Sequence, residues 1–297
     1  MSVTDAVSAA VPPERDGPAG RAASRRQLGR RYGLAIAGGI VLLAWLAIAA
    51  GGPWLAPYGF DAVDLDHRLQ APSWSHLLGT DELGRDILSR LLVGSRLSLL
   101  AGFSVVLAGG LIGTVYGAAA AYAGGRAEEA AMRLTDLFFA FPPLILAMSI
   151  AAALGVGAVN TVIAMTIAWW PRYARLSRSL VIAQRSLQYV EAAHLVGCGG
   201  VRTLFRHIAP NMLGPLIVLF TLDFGNAIIT FAGLSFLGLG AVPPTPEWGA
   251  MISAGRTMIE QWWVSTFPGI AILTVVVGCN FLGDGLRDLL DPRGRAR

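Results

Sequence analysis

The 297-residue sequence predicts an all-α, polytopic membrane protein with six transmembrane helices. Three observations lead there. Hydrophobic residues make up 54% of the chain and charged residues only 14%, against about 25% charged in an ordinary soluble domain. The apolar residues lie in long runs and do not recur at helical or strand period. All 23 basic residues are Arg, and they gather in alternate segments between the runs, as orientation-setting charges do. This composition excludes a disordered chain, which needs few apolar residues and many charges.

Residues 1–32 are rich in Ala, Pro, Ser, Gly and Arg without apolar period, and predict a mobile tail. The first run, Leu34 to Ala50, follows Arg21, Arg25, Arg26, Arg30 and Arg31 directly. A basic stretch before an apolar run also describes a signal peptide. The run exceeds the usual signal core, however, and more runs follow, which favours a retained anchor. It opens a unit, residues 33–96, of one span and an outer loop. In that loop Pro53, Pro57, Gly59 and Pro72 mark irregular chain. From Thr80, a candidate N-cap, Leu83, Ile87 or Leu88 and Leu91 or Leu92 form one stripe. The pairs Asp81/Arg85 and Asp86/Arg90 lie on the other side, so a short amphipathic helix at the membrane interface is expected.

Five further runs, at about 97–122, 137–156, 159–176, 211–233 and 267–286, make a core over residues 97–286. Each reaches the roughly 20 residues that cross about 30 Å of hydrocarbon. The fourth must take in Pro171, Arg172 and Arg175 at its end, where the Arg side chains can reach the head groups. Six spans put both termini on one side. With the tail inside, 18 Arg fall in inner segments and 5 in outer ones. The positive-inside rule therefore makes both termini cytosolic, with a C-terminal tail at 287–297 and a long inner loop at 171–210.

That inner loop holds the strongest signal: Tyr189-Val190-Glu191-Ala192-Ala193-His194-Leu195-Val196-Gly197, with Pro210 thirteen residues on. Glu191 to Val196 predicts a helix with small residues on one face. Gly197, Gly199 and Gly200 offer left-handed stops. A second helix is expected at about 201–208, ending at Ile208 because Pro210 cannot continue it, and Asn211 then caps the fifth span. The product is a helix–turn–helix below the membrane, with Ala192 and Ala193 allowing a partner surface close approach.

Glu-Ala-Ala, then Gly at the seventh position and Pro at the twentieth, resembles the EAA loop of ATP-binding-cassette importer permeases. Three more segments resemble the dipeptide/oligopeptide branch of C-type permeases. They are Leu78-Gly79-Thr80-Asp81-Glu82-Leu83-Gly84-Arg85-Asp86-Ile87-Leu88-Ser89-Arg90, Gly233 to Gly240 with Pro243 to Gly249, and Leu282 to Arg293. The likeness runs from about residue 25 to the C-terminus. It implies a type I permease fold in a bacterial cytoplasmic membrane and a half-channel for di- or oligopeptides. Its partners would be a second homologous permease subunit, two cytosolic ATPase subunits, an extracytoplasmic peptide-binding protein and membrane lipid. The EAA coupling loop, residues 177–210, would seat Tyr189, Glu191, Ala192, Ala193, Gly197, Ile208 and Pro210 against an ATPase. Permeases for nickel chelates or glutathione share the same motifs. The likeness also implies a non-catalytic chain without its own cofactor, ATP and Mg being bound by the ATPase subunits. In keeping with that, the sequence contains no G-x-x-x-x-G-K-[ST] loop.

Other candidates leave alternatives open. Asp223 lies mid-span with Asn226 one turn on. A carboxylate at that depth either lines a pathway, near the ammonium of a passing peptide, or is protonated or bonded to a neighbouring helix. Asp284 and Arg287, at the inner end of the last span, either pair i,i+3 or gate. Trp248, Trp262 and Trp263 suit an interfacial belt or a contact with the binding protein. Cys198 and Cys279 lack CxxC spacing, and His67, His76, His194 and His207 are too scattered to suggest a metal site. The Arg residues come without an aromatic–basic groove, so nucleic acid is not an expected partner. An ion-coupled transporter would show inverted repeats. A two-Asp intramembrane protease built on Asp223 and Asp284 would leave the EAA loop unexplained.

Overall fold

The structure, a computed structural model, describes residues 18–290. Residues 1–17 of the expected tail and residues 291–297 lie outside the described residues. Helix α1 spans Pro18–Leu55, so the helix begins well inside the segment expected as a tail. Propagating an existing helix is far easier than nucleating one, and residues 19–31 are mostly Ala, Arg, Gln and Leu, which favour it.

The outer loop differs from expectation in a way its own hydrogen bonds explain. Thr80 does not cap a helix; it forms a bridge with Asp86 across a tight loop. The Asp81 carboxylate accepts from the backbone N–H groups of Leu83 (2.9 Å) and Arg85 (3.0 Å). This local bonding competes with helix formation. The first helix here is α2, Ile87–Ala123, capped by Asp86, whose Oδ2 accepts from the Ser89 N–H at 2.8 Å. It runs without a break through the second apolar run, so no separate interfacial helix exists. The Asp81–Arg85 pair forms at 2.7 Å. Asp86 and Arg90 do not pair: Asp86 caps the helix and meets His76, while Arg90 donates to Phe60 O at 2.9 Å.

The third run is not one straight helix. It falls in α3, Gly125–Phe139, and α4, Pro143–Leu154, which meet at 83°. Pro142 and Pro143 supply the corner, since proline cannot prolong α3. Helix α5 is Ala158–Arg185, α6 Gln188–Leu195 and α7 Gly200–Thr203. A π-helical turn, Leu204–Ile208, leads into α8, Ala209–Phe236. Then come α9, Trp248–Gly255, and α10, Trp263–Leu290. The six apolar runs thus fall, in order, in helices. Among the described residues four stretches cross a membrane by length and composition alone: Tyr32–Leu55, Ile87–Ala123, Gly200–Phe236 and Trp263–Leu290. Taken as one broken span, the bent pair makes a fifth. Helix α5 carries four Arg in its second half, which lowers its hydropathy.

The centre is the α2–α5 contact. Gly109, Gly113 and Gly117 form one stripe on α2. A Cβ on Gly113 would meet Trp170 O at 2.1 Å, and one on Gly117 would meet Ala174 O at 2.0 Å. Only glycine lets the two backbones come this close, the small-residue packing that membrane helices favour. Ser177 Oγ adds a bond to Thr114 O at 2.8 Å. Helix α8 closes this core through Met212, Leu216 and Phe231. A second apolar cluster lies at the opposite end, around Ile87, Trp248 and Trp263.

Candidate functional site

The EAA loop projects beyond α5 and α8, yet one face of it is tied into the core. Val190 and Ile208 are buried among Val181 and Met212. Ala193 is buried as well, so it packs within its own chain; of the two alanines only Ala192 is open to a partner. The Tyr189 hydroxyl donates to Gln184 Oε1 on α5 and to His207 O at 3.4 Å. Gly197 turns the chain at φ +82°, a left-handed conformation that strains any side chain.

Pro210 does not break the chain. The π-helical turn absorbs it: the Ala209 N–H reaches back five residues to Leu204 O, and Pro210 sits in the first turn of α8. The expected stop after Ile208 is therefore a continuous helix. Asn211, expected as a cap, instead donates from Nδ2 to His207 O (2.8 Å) and to the Tyr189 hydroxyl (3.1 Å). The bond to Tyr189 ties the two limbs of the loop together.

Further struts fix the loop to the bundle. Arg185 Nη1 donates to Ala121 O at 2.8 Å and its guanidinium lies 5.6 Å from the Tyr122 ring centre. Tyr122 in turn rests on Gly200, where a Cβ would meet its hydroxyl at 1.8 Å. Helix α3 is held along α5 by Arg178–Glu128 (2.6 Å) and Arg175–Asp136 (2.7 Å). These pairs edge a cleft of about 580 Å³. The exposed side of the loop carries Glu191, Ala192 and Gly197. Around them Leu195 is 88% exposed, Val196 81%, Val201 70% and Phe205 71%. Exposed apolar side chains of this size mark a surface that meets a partner protein or the membrane. No motif marks Phe205 and Val201 in the sequence; four apolar residues in a loop between spans are the available signal.

The remaining candidates separate. Asp223 is fully buried on α8, and Arg172 of α5 donates from Nη1 to its Oδ1 at 2.7 Å. The bond to a neighbouring helix is thus the arrangement present, and the open side is taken by Arg172. Asn226 is exposed and lines a cleft of about 310 Å³ beside Arg172. Asp284 and Arg287 are both exposed, and no ion pair joins them.

At the end opposite the EAA loop, the expected aromatic belt is mostly core. Trp248 is fully buried, donates to Leu91 O at 3.1 Å and meets Trp45 edge-on at 5.0 Å. Trp263 is buried too and donates to Thr80 O at 3.2 Å, leaving Trp262 exposed. Glu247 caps α9: its oxygens accept from the N–H groups of Gly249 and Ala250, both at 2.9 Å. Burial pushes its carboxyl above the usual carboxylate range, and those two N–H groups pull the other way. His67 and His76, nine residues apart in the chain, have ring centres 6.2 Å apart, each against its own carboxylate, Asp64 and Asp86. No group of three or more metal-ligating side chains forms among the described residues.

Comparison with known proteins fits this geometry. A family model described as the binding-protein-dependent transport system inner membrane component matches residues 109–296. A second, the N-terminal TM domain of oligopeptide transport permease C, matches residues 30–72. The chain is 46% identical over 266 residues to a di/tripeptide transport system permease protein of Pseudomonas aeruginosa, covering 87% of this chain and 88% of that one. It is 44% identical over 261 residues to a probable D,D-dipeptide transport system permease protein of Escherichia coli, covering 88% of each. It is also 44% identical over 265 residues to a glutathione transport system permease protein of Pectobacterium atrosepticum, covering 89% of this chain and 88% of that one.

Proposed function

The chain belongs to the binding-protein-dependent transport permeases, the membrane subunits of ATP-binding-cassette importers, and from that premise we propose how it works and what it carries. It moves di- and oligopeptides across the cytoplasmic membrane. It forms half of a channel with a second, homologous permease. Two cytosolic ATPase subunits drive the pair, and an extracytoplasmic binding protein supplies the peptide. Both termini and the EAA loop face the cytosol, a reading that the 18 inner and 5 outer Arg support. The chain catalyses no reaction; ATP and Mg belong to the ATPase subunits.

One observation supports the coupling most: an exposed knob (Glu191, Ala192, Leu195, Val196, Phe205) on a loop whose other face is buried and strutted. A partner that grips the knob moves α5 and α8 together. ATP binding favours one ATPase arrangement, and rigid contact passes that bias to the spans. A flexible loop would dissipate the motion; the bonds from Tyr189, Asn211 and Arg185 oppose that.

Glutathione is the second substrate class to weigh, because one relative at 44% identity is a glutathione permease. Uptake by the reconstituted importer decides. Labelled dipeptide is expected to accumulate only with ATP inside, and a tenfold excess of unlabelled peptide, but not of glutathione, is expected to suppress it. Suppression by glutathione alone, or uptake without ATP, would contradict the assignment.

A further inference from the structure

The Arg172–Asp223 pair lies outside the coupling machinery, and its depth is informative. Asp223 is about 18 Å along α8 from Asn211 and about 15 Å from Gly233, the ends of the apolar stretch. This is near the middle of that apolar stretch, so Arg172, expected at the end of its own run and reaching the head groups, is held instead toward mid-depth by Asp223. There the Asp223 side chain is wholly buried, while that of Arg172 is 52% exposed. A guanidinium at mid-depth is too costly to face lipid chains, so its open side faces water or a polar group. The cleft on that side, about 310 Å³, is lined by Phe139, Pro143, Trp169, Asn226 and Thr230. It therefore offers aromatic faces and an amide beside the charge.

The donor arithmetic points the same way. Arg has five N–H donors in a planar fork. Asp223 Oδ1 takes one, from Nη1. The guanidinium is thus held from behind by Asp223, with the rest of its fork open toward the cleft. The group that fits a guanidinium fork is a carboxylate.

We propose that Arg172 receives the C-terminal carboxylate of a peptide in transit, with Asp223 as the positioning residue that aims the guanidinium and tempers its charge. This rests on the peptide-import reading above. Tempering matters because a transit site must bind well enough to admit its cargo and weakly enough to release it. The pair is neutral overall, so the carboxylate gains hydrogen bonds more than net attraction.

The test uses the complete importer in liposomes. The binding protein is loaded to equal occupancy with a tripeptide or with its C-terminal amide. The wild type is expected to move the free acid about tenfold faster than the amide, the worth of one charge-assisted hydrogen bond. The double variant Arg172→Gln/Asp223→Asn removes the pair without stranding a buried charge. It is expected to slow the acid about tenfold, leave the amide unchanged and keep ATP hydrolysis stimulated by the binding protein. Arg172→Lys keeps the charge and loses the fork, so its ratio falls between the two. A wild-type ratio near one overturns the proposal, as does an assembled double variant with the wild-type ratio. If the double variant does not assemble, Arg172→Lys decides, and an unchanged ratio overturns the proposal. A ratio near one together with lost assembly would assign Arg172 to a carboxylate on the partner permease instead. A wild type that moves neither peptide would overturn the import reading itself, a separate outcome.

Discussion

Glu191→Lys is expected to leave the protein inserted and assembled while cutting ATP-driven peptide uptake by roughly 100-fold, because reversing a charge buried in an interface costs several kcal/mol. Glu191 is exposed in this chain and forms no ion pair here among the described residues, so its replacement removes nothing the fold needs. Its neighbours do the structural work: Val190 and Ala193 are buried on either side of it. The expected signature is specific. Permease content and thermal unfolding stay at wild-type values, while stimulation of ATP hydrolysis by loaded binding protein disappears along with uptake. Undiminished uptake would remove Glu191 from the coupling contact.

The second large effect is structural. Gly113→Val places a branched side chain where a single Cβ would already lie 2.1 Å from Trp170 O and 2.7 Å from Tyr173 Cβ. The obstacle is α5 backbone, which cannot step aside like a flexible side chain. Overpacking of this kind costs about 1–3 kcal/mol or more. Here it also pries α2 away from α5, the helix that carries Arg172 and leads into the EAA loop. Gly113→Val is expected to fall to low membrane levels and to unfold at a lower temperature in detergent, while Gly214→Ala, with only Leu290 side-chain atoms at 3.8 Å or more, is expected to behave as wild type. Equal stability of the two variants would show that the α2–α5 approach is not the packing constraint described here.

Much of this was legible in the sequence, and the failures share a cause. The apolar runs placed the helices because burial in lipid demands length and composition, which a one-dimensional reading sees directly. The EAA spacing placed the loop. Details set by local hydrogen bonds were missed. Thr80 looks like a cap and Asp86/Arg90 like a helical pair, but Asp81 Oδ1 accepts from backbone N–H groups, the helix waits for Asp86, and Asp86 caps it instead of meeting Arg90. Pro210 looked like a break, and a five-residue hydrogen bond at Ala209 carries the helix past it. The Gly109-Gly113-Gly117 stripe has a spacing of four, but in so Gly-rich a chain that spacing alone does not mark it out. The partner of Asp223 is 51 residues away in the chain, on another helix. Period and composition carry no trace of such a pairing.

The central claim is that the EAA knob is gripped from the cytosol by a separate ATPase, and disulfide or bifunctional crosslinking from Val196→Cys tests it most directly. Val196 is 81% exposed at the tip of the knob. The background carries Cys198→Ser, while Cys279 is buried and so shielded from reagent. In the assembled importer the new thiol is expected to crosslink to a cysteine in the ATPase subunit and to react with a membrane-impermeant reagent only in inverted vesicles. A thiol that reacts from the outer face, or one that stays free beside a fully assembled ATPase, would contradict the account.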